Sequence, residues 1–232
     1  MEYRIEGGNL QYLEITLKEG EEIYAESGAM VCKTANIAME TRMPGKGIGG
    51  KLMGLFKRKI TGESAFMVYY RCEEGVGKVT LTGPFPGKIA AVEVTPDRSF
   101  IVQKDGFLCA TTGVEIDLSF SGSLKGGLFG GEGFILQKLK GNGVAFVHAC
   151  GDMIEYNLKE GEKLQVDTGC VVGFEETVGY SAELVKGFKN IIFGGEGLFL
   201  ATLRGPGRVI VQTMNIETLR SVLAPPVDRG SD

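Results

Sequence analysis

Leu13, Ile15 and Leu17 alternate with Glu14 and Thr16, Val92 and Val94 flank Glu93, and Val209 and Val211 flank Ile210. Successive side chains of a strand point to opposite faces, so this period of two predicts strands that present one set of side chains to each face of a sheet. Apolar runs of this kind are short and are separated by glycine at regular intervals. The chain holds 36 glycines in 232 residues, about twice the usual share of roughly 7%. Such punctuation predicts many short strands joined by tight turns. Gly141-Asn142-Gly143, Gly205-Pro206-Gly207 and Glu74-Gly75-Val76-Gly77 are predicted as hairpin turns, in which glycine supplies positive φ angles. One helix is predicted, capped by Asn215, running over Ile216, Leu219, Val222 and Leu223 and stopped by Pro225-Pro226.

The pattern also repeats. Residues 130–147 read against residues 194–211 at a constant offset of 64 (194 minus 130), without a gap and with 9 of 18 positions identical. A second shared element links Leu17-Lys18-Glu19-Gly20-Glu21 to Leu158-Lys159-Glu160-Gly161-Glu162, at an offset of 141 (158 minus 17). The expected copies run over about 10–83, 87–150 and 151–214. A unit of about 65 residues buries too little surface to stand alone, so the copies are expected to share one core. The expected fold class is all-β: three tandem double-stranded β-helix-like repeats packed as one body over residues 1–224, with a short terminal helix at 216–223 and a flexible tail at 225–232.

Net charge is −4, which argues against bulk attraction to nucleic acid. Five cysteines, Cys32, Cys72, Cys109, Cys150 and Cys170, lack any Cys-x-x-Cys spacing and do not read as a disulfide framework. The start Met1-Glu2-Tyr3-Arg4-Ile5-Glu6 lacks a basic leader, and no apolar run approaches the ~20 residues of a membrane span. A cytoplasmic protein, peripheral to a membrane at most, is expected.

Local chemistry concentrates in residues 45–59. This stretch lengthens the first copy and carries Lys46, Lys51, Lys57, Arg58 and Lys59 with no carboxylate between Glu40 and Glu63. Gly45, Gly47 and Gly50 satisfy a dinucleotide-type glycine spacing, but its context must be a βαβ unit, and Leu52 stands where a phosphate loop needs Ser or Thr. The functional reading is a surface in which Leu52, Leu55 and Phe56 enter an apolar layer while Lys51, Lys57, Arg58 and Lys59 face phosphates of an anionic membrane or a protein partner. The structural reading places those apolar residues under the sheet, because residues 123–129 and 185–193 fill the same slot in the other copies. Glu63, Glu132 and Glu196 recur beside glycine, where a repeated carboxylate reads as a turn or inter-copy hydrogen bond rather than an acid/base pair. His148 is the sole histidine and shares a strand face with Cys150. It aligns with Thr82 and Gln212, a slot that is polar in every copy, and one histidine falls short of a four-ligand metal site. No cofactor, metal or catalytic residue is assigned.

The Gly-Glu-Ser block at 62–64, the Gly-Glu-Gly blocks at 131–133 and 195–197, residues 49–58 and the tripled β unit together resemble the family named for altered inheritance of mitochondria, member twenty-four, from about residue 3 to 224. That resemblance implies units like the subunit of the tryptophan RNA-binding attenuation protein, association as homotrimers, and, in mitochondrial members, a link to inner-membrane organisation. It supplies no catalytic residues. The expected function is a non-enzymatic scaffold or assembly protein that binds itself and either a protein partner or a membrane surface. The alternatives are an RNA-binding ring, opposed by net charge and the lack of tryptophan, and a small-ligand or metal-binding β-barrel enzyme, opposed by the histidine count.

Overall fold

A computed structural model of the chain describes residues 1–42, 66–117, 135–184 and 199–223. The fold is all-β; among the described residues the pairing is antiparallel and a helix, α1 (Ile216–Leu223), follows the last strand, its first turn closed through the Leu219 amide to the Asn215 carbonyl. After an opening strand, β1 (Glu2–Glu6), the chain forms β2 (Tyr12–Lys18), β3 (Glu22–Glu26), β4 (Met30–Lys33), β5 (Ile37–Arg42), β6 (Met67–Cys72) and β7 (Val76–Thr82). The next stretch holds β8 (Gly87–Val94), β9 (Phe100–Gln103), β10 (Phe107–Thr111), β11 (Val114–Asp117), β12 (Leu136–Gly141) and β13 (Gly143–Cys150). The last holds β14 (Met153–Leu158), β15 (Lys163–Asp167), β16 (Val171–Glu175), β17 (Gly179–Leu184), β18 (Phe199–Arg204) and β19 (Gly207–Gln212).

These strands build four sheets in the orders β1-β2-β7-β4, β5-β6-β3-β10-β13-β8, β11-β12-β9-β16-β19-β14 and β15-β18-β17. The pairing order recurs. In each stretch the first strand pairs with the sixth and the sixth with the third, while the fourth pairs with the fifth and the fifth with the second. The two central sheets arise because β3 pairs with β10 and β9 with β16, so each stretch lends strands to a sheet begun by its predecessor. The same register shift appears in the third strand each time, between Met30 and Cys32, Phe107 and Cys109, and Val171 and Gly173.

The alternation read from sequence is what fills the cores. Leu13, Ile15 and Leu17 are buried with Ile23, Val79 and Leu81 in a first cluster, joined from the second stretch by Ile89, Leu108 and Phe146. A second cluster gathers Val92, Val94, Phe100 and Phe107 with Val172 and Ile210 of the third stretch. A third holds Phe174, Leu203, Val209 and Val211. Tyr24 links the second cluster to β11, its hydroxyl donating to the Val114 carbonyl at 2.9 Å. All five cysteines are free thiols.

The hairpin expectation is corrected. β12 and β13, joined at Gly141-Asn142-Gly143, lie in different sheets and do not pair, and the same holds for β18 and β19 around Gly205-Pro206-Gly207 and for β6 and β7 around Gly75. These glycines turn corners between sheets. Gly141 has φ of 114° and Gly207 has φ of 141°, and a Cβ on Gly141 would sit 2.2 Å from the Gly113 carbonyl oxygen. A left-handed backbone and that close approach both require glycine. A Gly-x-Gly signal shows where the chain bends but not which strand it bends toward.

Candidate interaction surface

The segments singled out for chemistry, Lys51, Leu52, Leu55, Phe56, Lys57, Arg58 and Lys59 together with Glu63, Glu132 and Glu196, lie outside the described residues. Their flanks are described. Residues 43–65, 118–134 and 185–198 each stand in the chain between two strands that pair with one another, β5 with β6, β11 with β12 and β17 with β18.

His148 is placed on β13, 3% exposed, with Nε2 2.9 Å from the Phe85 carbonyl oxygen. Burial pushes its pKa below the ordinary value, and the bond to Phe85 pulls weakly the other way. The aligned positions do similar work: the Thr82 hydroxyl donates to the Gln11 carbonyl at 3.1 Å, and the Gln212 amide donates to the Gly169 carbonyl at 2.8 Å. Cys150 is buried beside this slot, and burial raises its thiol pKa, which keeps it protonated and unreactive. Among the described residues no group of three or more His, Cys, Asp or Glu is placed to hold a metal ion.

Clefts on the described surface include two lined by charged residues. One, of about 330 Å³, is lined by Tyr3, Glu93, Arg98, Ser99, Glu175 and Arg208 among others. Three of its charged residues are engaged: Glu175 takes the Arg98 guanidinium at 2.6 Å and the Arg208 amide at 3.0 Å, while the Arg208 side chain grips Glu155 through two bonds of 2.7 and 2.9 Å. This network fastens the turn before β9 to β16, β19 and β14. The other cleft, of about 410 Å³, includes Met1, Glu21, Glu22 and Arg71. There the Met1 amino group meets Glu21 at 3.0 Å, and the other Glu21 oxygen caps the Lys18 amide. Glu162 caps the Lys159 amide in the same way. These carboxylates secure turns, a role readable in the repeated Leu-Lys-Glu-Gly-Glu element.

What sequence reasoning missed is apolar. On β4, Met30, Val31 and Cys32 are exposed, Val31 to 57%. Their register counterparts on β10, Phe107, Leu108 and Cys109, are at most 1% exposed. The outer edge of β4 pairs with no other strand among the described residues. At the opposite end of the strand order, Ile154 and Tyr156 on β14 are 43% and 38% exposed, although their counterparts Leu13 and Ile15 on β2 are fully buried. Among the described residues β15 likewise pairs on one side only, with Leu164 and Val166 half-buried. The chain thus carries an apolar strand edge at one end and an incompletely covered apolar face at the other. The residue types alone could not show this, because they match those that are buried elsewhere.

Two relatives match over nearly the whole chain. An uncharacterized protein of Streptococcus pyogenes serotype M6 is 30% identical over 214 residues, covering 91% of this chain and 84% of that protein. A crystal structure of another Streptococcus pyogenes protein superposes with a TM-score of 0.74 at 24% identity, covering 96% of this chain and 97% of that one; at that identity the likeness establishes the fold. No helix among the described residues is long and apolar enough to cross a membrane. The family model described as mitochondrial biogenesis AIM24 matches residues 3–214, and the chain belongs to that family.

Proposed function

We propose that this protein is a non-enzymatic assembly protein built from three copies of one β unit, working as a homotrimer that presents a surface to a protein partner or a membrane. The observation that carries the reading is the exposed apolar set Met30, Val31 and Cys32 on an unpaired strand edge. Edge strands are ordinarily blunted by charge, proline or a covering loop, because an open apolar edge recruits another chain. Support for three like units comes from the recurring strand order and the shared register shift. Support for a role without chemistry comes from His148, which the sequence singled out, and from Glu175 and Arg208 of the cleft, since these groups hold backbone or one another.

The membrane arm rests on the cationic and apolar sequence of residues 51–59. Capture of partners from native cells separates the two arms, using wild type beside a variant with Lys51, Lys57, Arg58 and Lys59 neutralised, with binding to anionic vesicles measured in parallel. Vesicle binding lost on neutralisation supports the membrane arm, and a protein partner lost only in that variant supports the protein arm. Turnover of a metabolite that disappears in His148→Gln would overturn the whole reading.

A further inference from the structure

The two open ends of the strand order are complementary. At the first internal junction β10 pairs with β3, setting Cys109 opposite Ala25, Ala110 opposite Tyr24 and Thr111 opposite Ile23. At the second, β16 pairs with β9, setting Gly173 opposite Val102, Phe174 opposite Ile101 and Glu175 opposite Phe100. Both junctions therefore join the third strand of one unit to the second strand of the unit before it, at one register. The third strand of the first unit, β4, and the second strand of the last unit, β15, are the two strands of these classes that have no such partner among the described residues.

We infer that a second copy of this chain docks head to tail, its β4 edge adding to β15 so that Cys32 stands opposite Val166, Lys33 opposite Gln165 and Thr34 opposite Leu164. The assignment follows from counterparts. Cys32 occupies the position after the register shift that Cys109 and Gly173 occupy. Val166 and Leu164 occupy the positions of Ala25 and Ile23, because Leu164 pairs with Leu203 on β18 as Ile23 pairs with Tyr70 on β6.

Side chains agree with the backbone. The first core is completed from the following unit by Ile89, Leu108 and Phe146. The second is completed by Val172 and Ile210, with Met153 packed against it. The same three slots in the first unit are Tyr12, Val31 and Thr80, by pairing of Tyr12 with Thr82 and of Cys32 with Thr80. Tyr12 and Val31 are exposed, and so are Ile154 and Tyr156 on the third core that awaits such cover. One copy offers the missing lid and the next offers the uncovered core. Thr80, standing where the internal junctions use Phe146 and Ile210, makes the contact between copies more polar than those within the chain. A contact between unlike surfaces is heterologous, so it closes into a ring or runs on as a filament.

This inference rests on the assembly reading above, and one experiment distinguishes their failures. In full-length protein carrying Cys170→Ser, Val166→Cys is expected to form a disulfide with native Cys32 of a neighbouring copy under mild oxidation. A ladder on non-reducing gels that stops at three chains is the expected result, with the mass in solution unchanged from wild type. The link should be lost when Cys32→Ser is added, and weakened strongly when cysteine is placed at Gln165 instead, whose side chain points to the other face. Val31→Glu, at an exposed position, should reduce the assembly to a 24.9 kDa monomer while circular dichroism stays that of the folded chain. An oligomer in solution without the Cys32 link overturns this interface and leaves the assembly reading standing; a monomer at all concentrations overturns both. A ladder continuing beyond three supports the interface and overturns the trimer.

Discussion

His148 on β13 sets its Nε2 2.9 Å from the carbonyl oxygen of Phe85, 63 residues earlier, and so ties the last strand of the second stretch to the segment that opens it. A neutral imidazole can donate a proton to that carbonyl, and burial favours the neutral ring.

The first prediction concerns acid. Because the folded-state pKa lies below the ordinary 6.5, the unfolded chain takes up a proton first as pH falls through about 6.5, so this contribution to stability is full above that pH and declines below it. His148→Gln keeps a donor for Phe85 and reproduces the residue found at position 212. Its Tm should fall less than that of wild type between about pH 7.5 and about pH 5.5, and an identical slope would refute the assignment.

Tyr24 offers a test of a buried hydrogen bond in isolation. Its ring lies between Tyr69 and Phe107, with centroids at 5.5 and 5.8 Å, and Tyr24→Phe preserves those contacts while stranding the Val114 carbonyl. Urea denaturation should show a loss of about 1–3 kcal/mol with an unchanged m-value.

Gly141→Ala should be far more damaging than its chemistry suggests. It places a Cβ 2.2 Å from the Gly113 carbonyl at a φ of 114°, so backbone strain of about 1–3 kcal/mol adds to a clash that neither chain segment can relieve cheaply. Gly8→Ala, where nothing lies within 4 Å of the added atom, should stay within about 0.5 kcal/mol of wild type. Comparable losses from both would argue against the corner geometry.

Leu108 and Val31 occupy the same register slot in different six-strand stretches, so they separate folding from the proposed association. Leu108→Ala should cost the chain about 2–5 kcal/mol as a buried truncation. Val31→Ala should leave the unfolding of the isolated chain within about 0.5 kcal/mol of wild type and instead weaken self-association, read as a mass shift with dilution. Equal destabilisation of the isolated chain by both would place Val31 in its own core.

The strands were legible where burial is one-sided, as at Leu13 to Leu17, because the pleat converts a core face into an alternation. The helix after Asn215 was legible from its cap and its following prolines. Partnering was not legible. Gly141-Asn142-Gly143 reads as a hairpin because hairpins are the commonest use of such residues, whereas here β13 finds its neighbours in β8 and β10. The open face was hidden for a related reason: Ile154 and Tyr156 follow the same pattern as Leu13 and Ile15, and what differs is that Ile89, Leu108 and Phe146 of the following stretch complete the cluster of Leu13 and Ile15. The positions chosen on charge, Lys51 through Lys59, fall outside the described residues.

Because β3 completes its sheet with β10, and β9 with β16, neighbouring stretches of the chain are woven rather than glued. Excising the last third of the chain would leave β9 fraying along one side and Val92 and Val94 without the Val172 and Ile210 that overlie their cluster. No single thread can be drawn out as a stable fragment. A protease that nicks one connection should therefore yield pieces that stay together under native conditions and come apart only when the whole fabric melts.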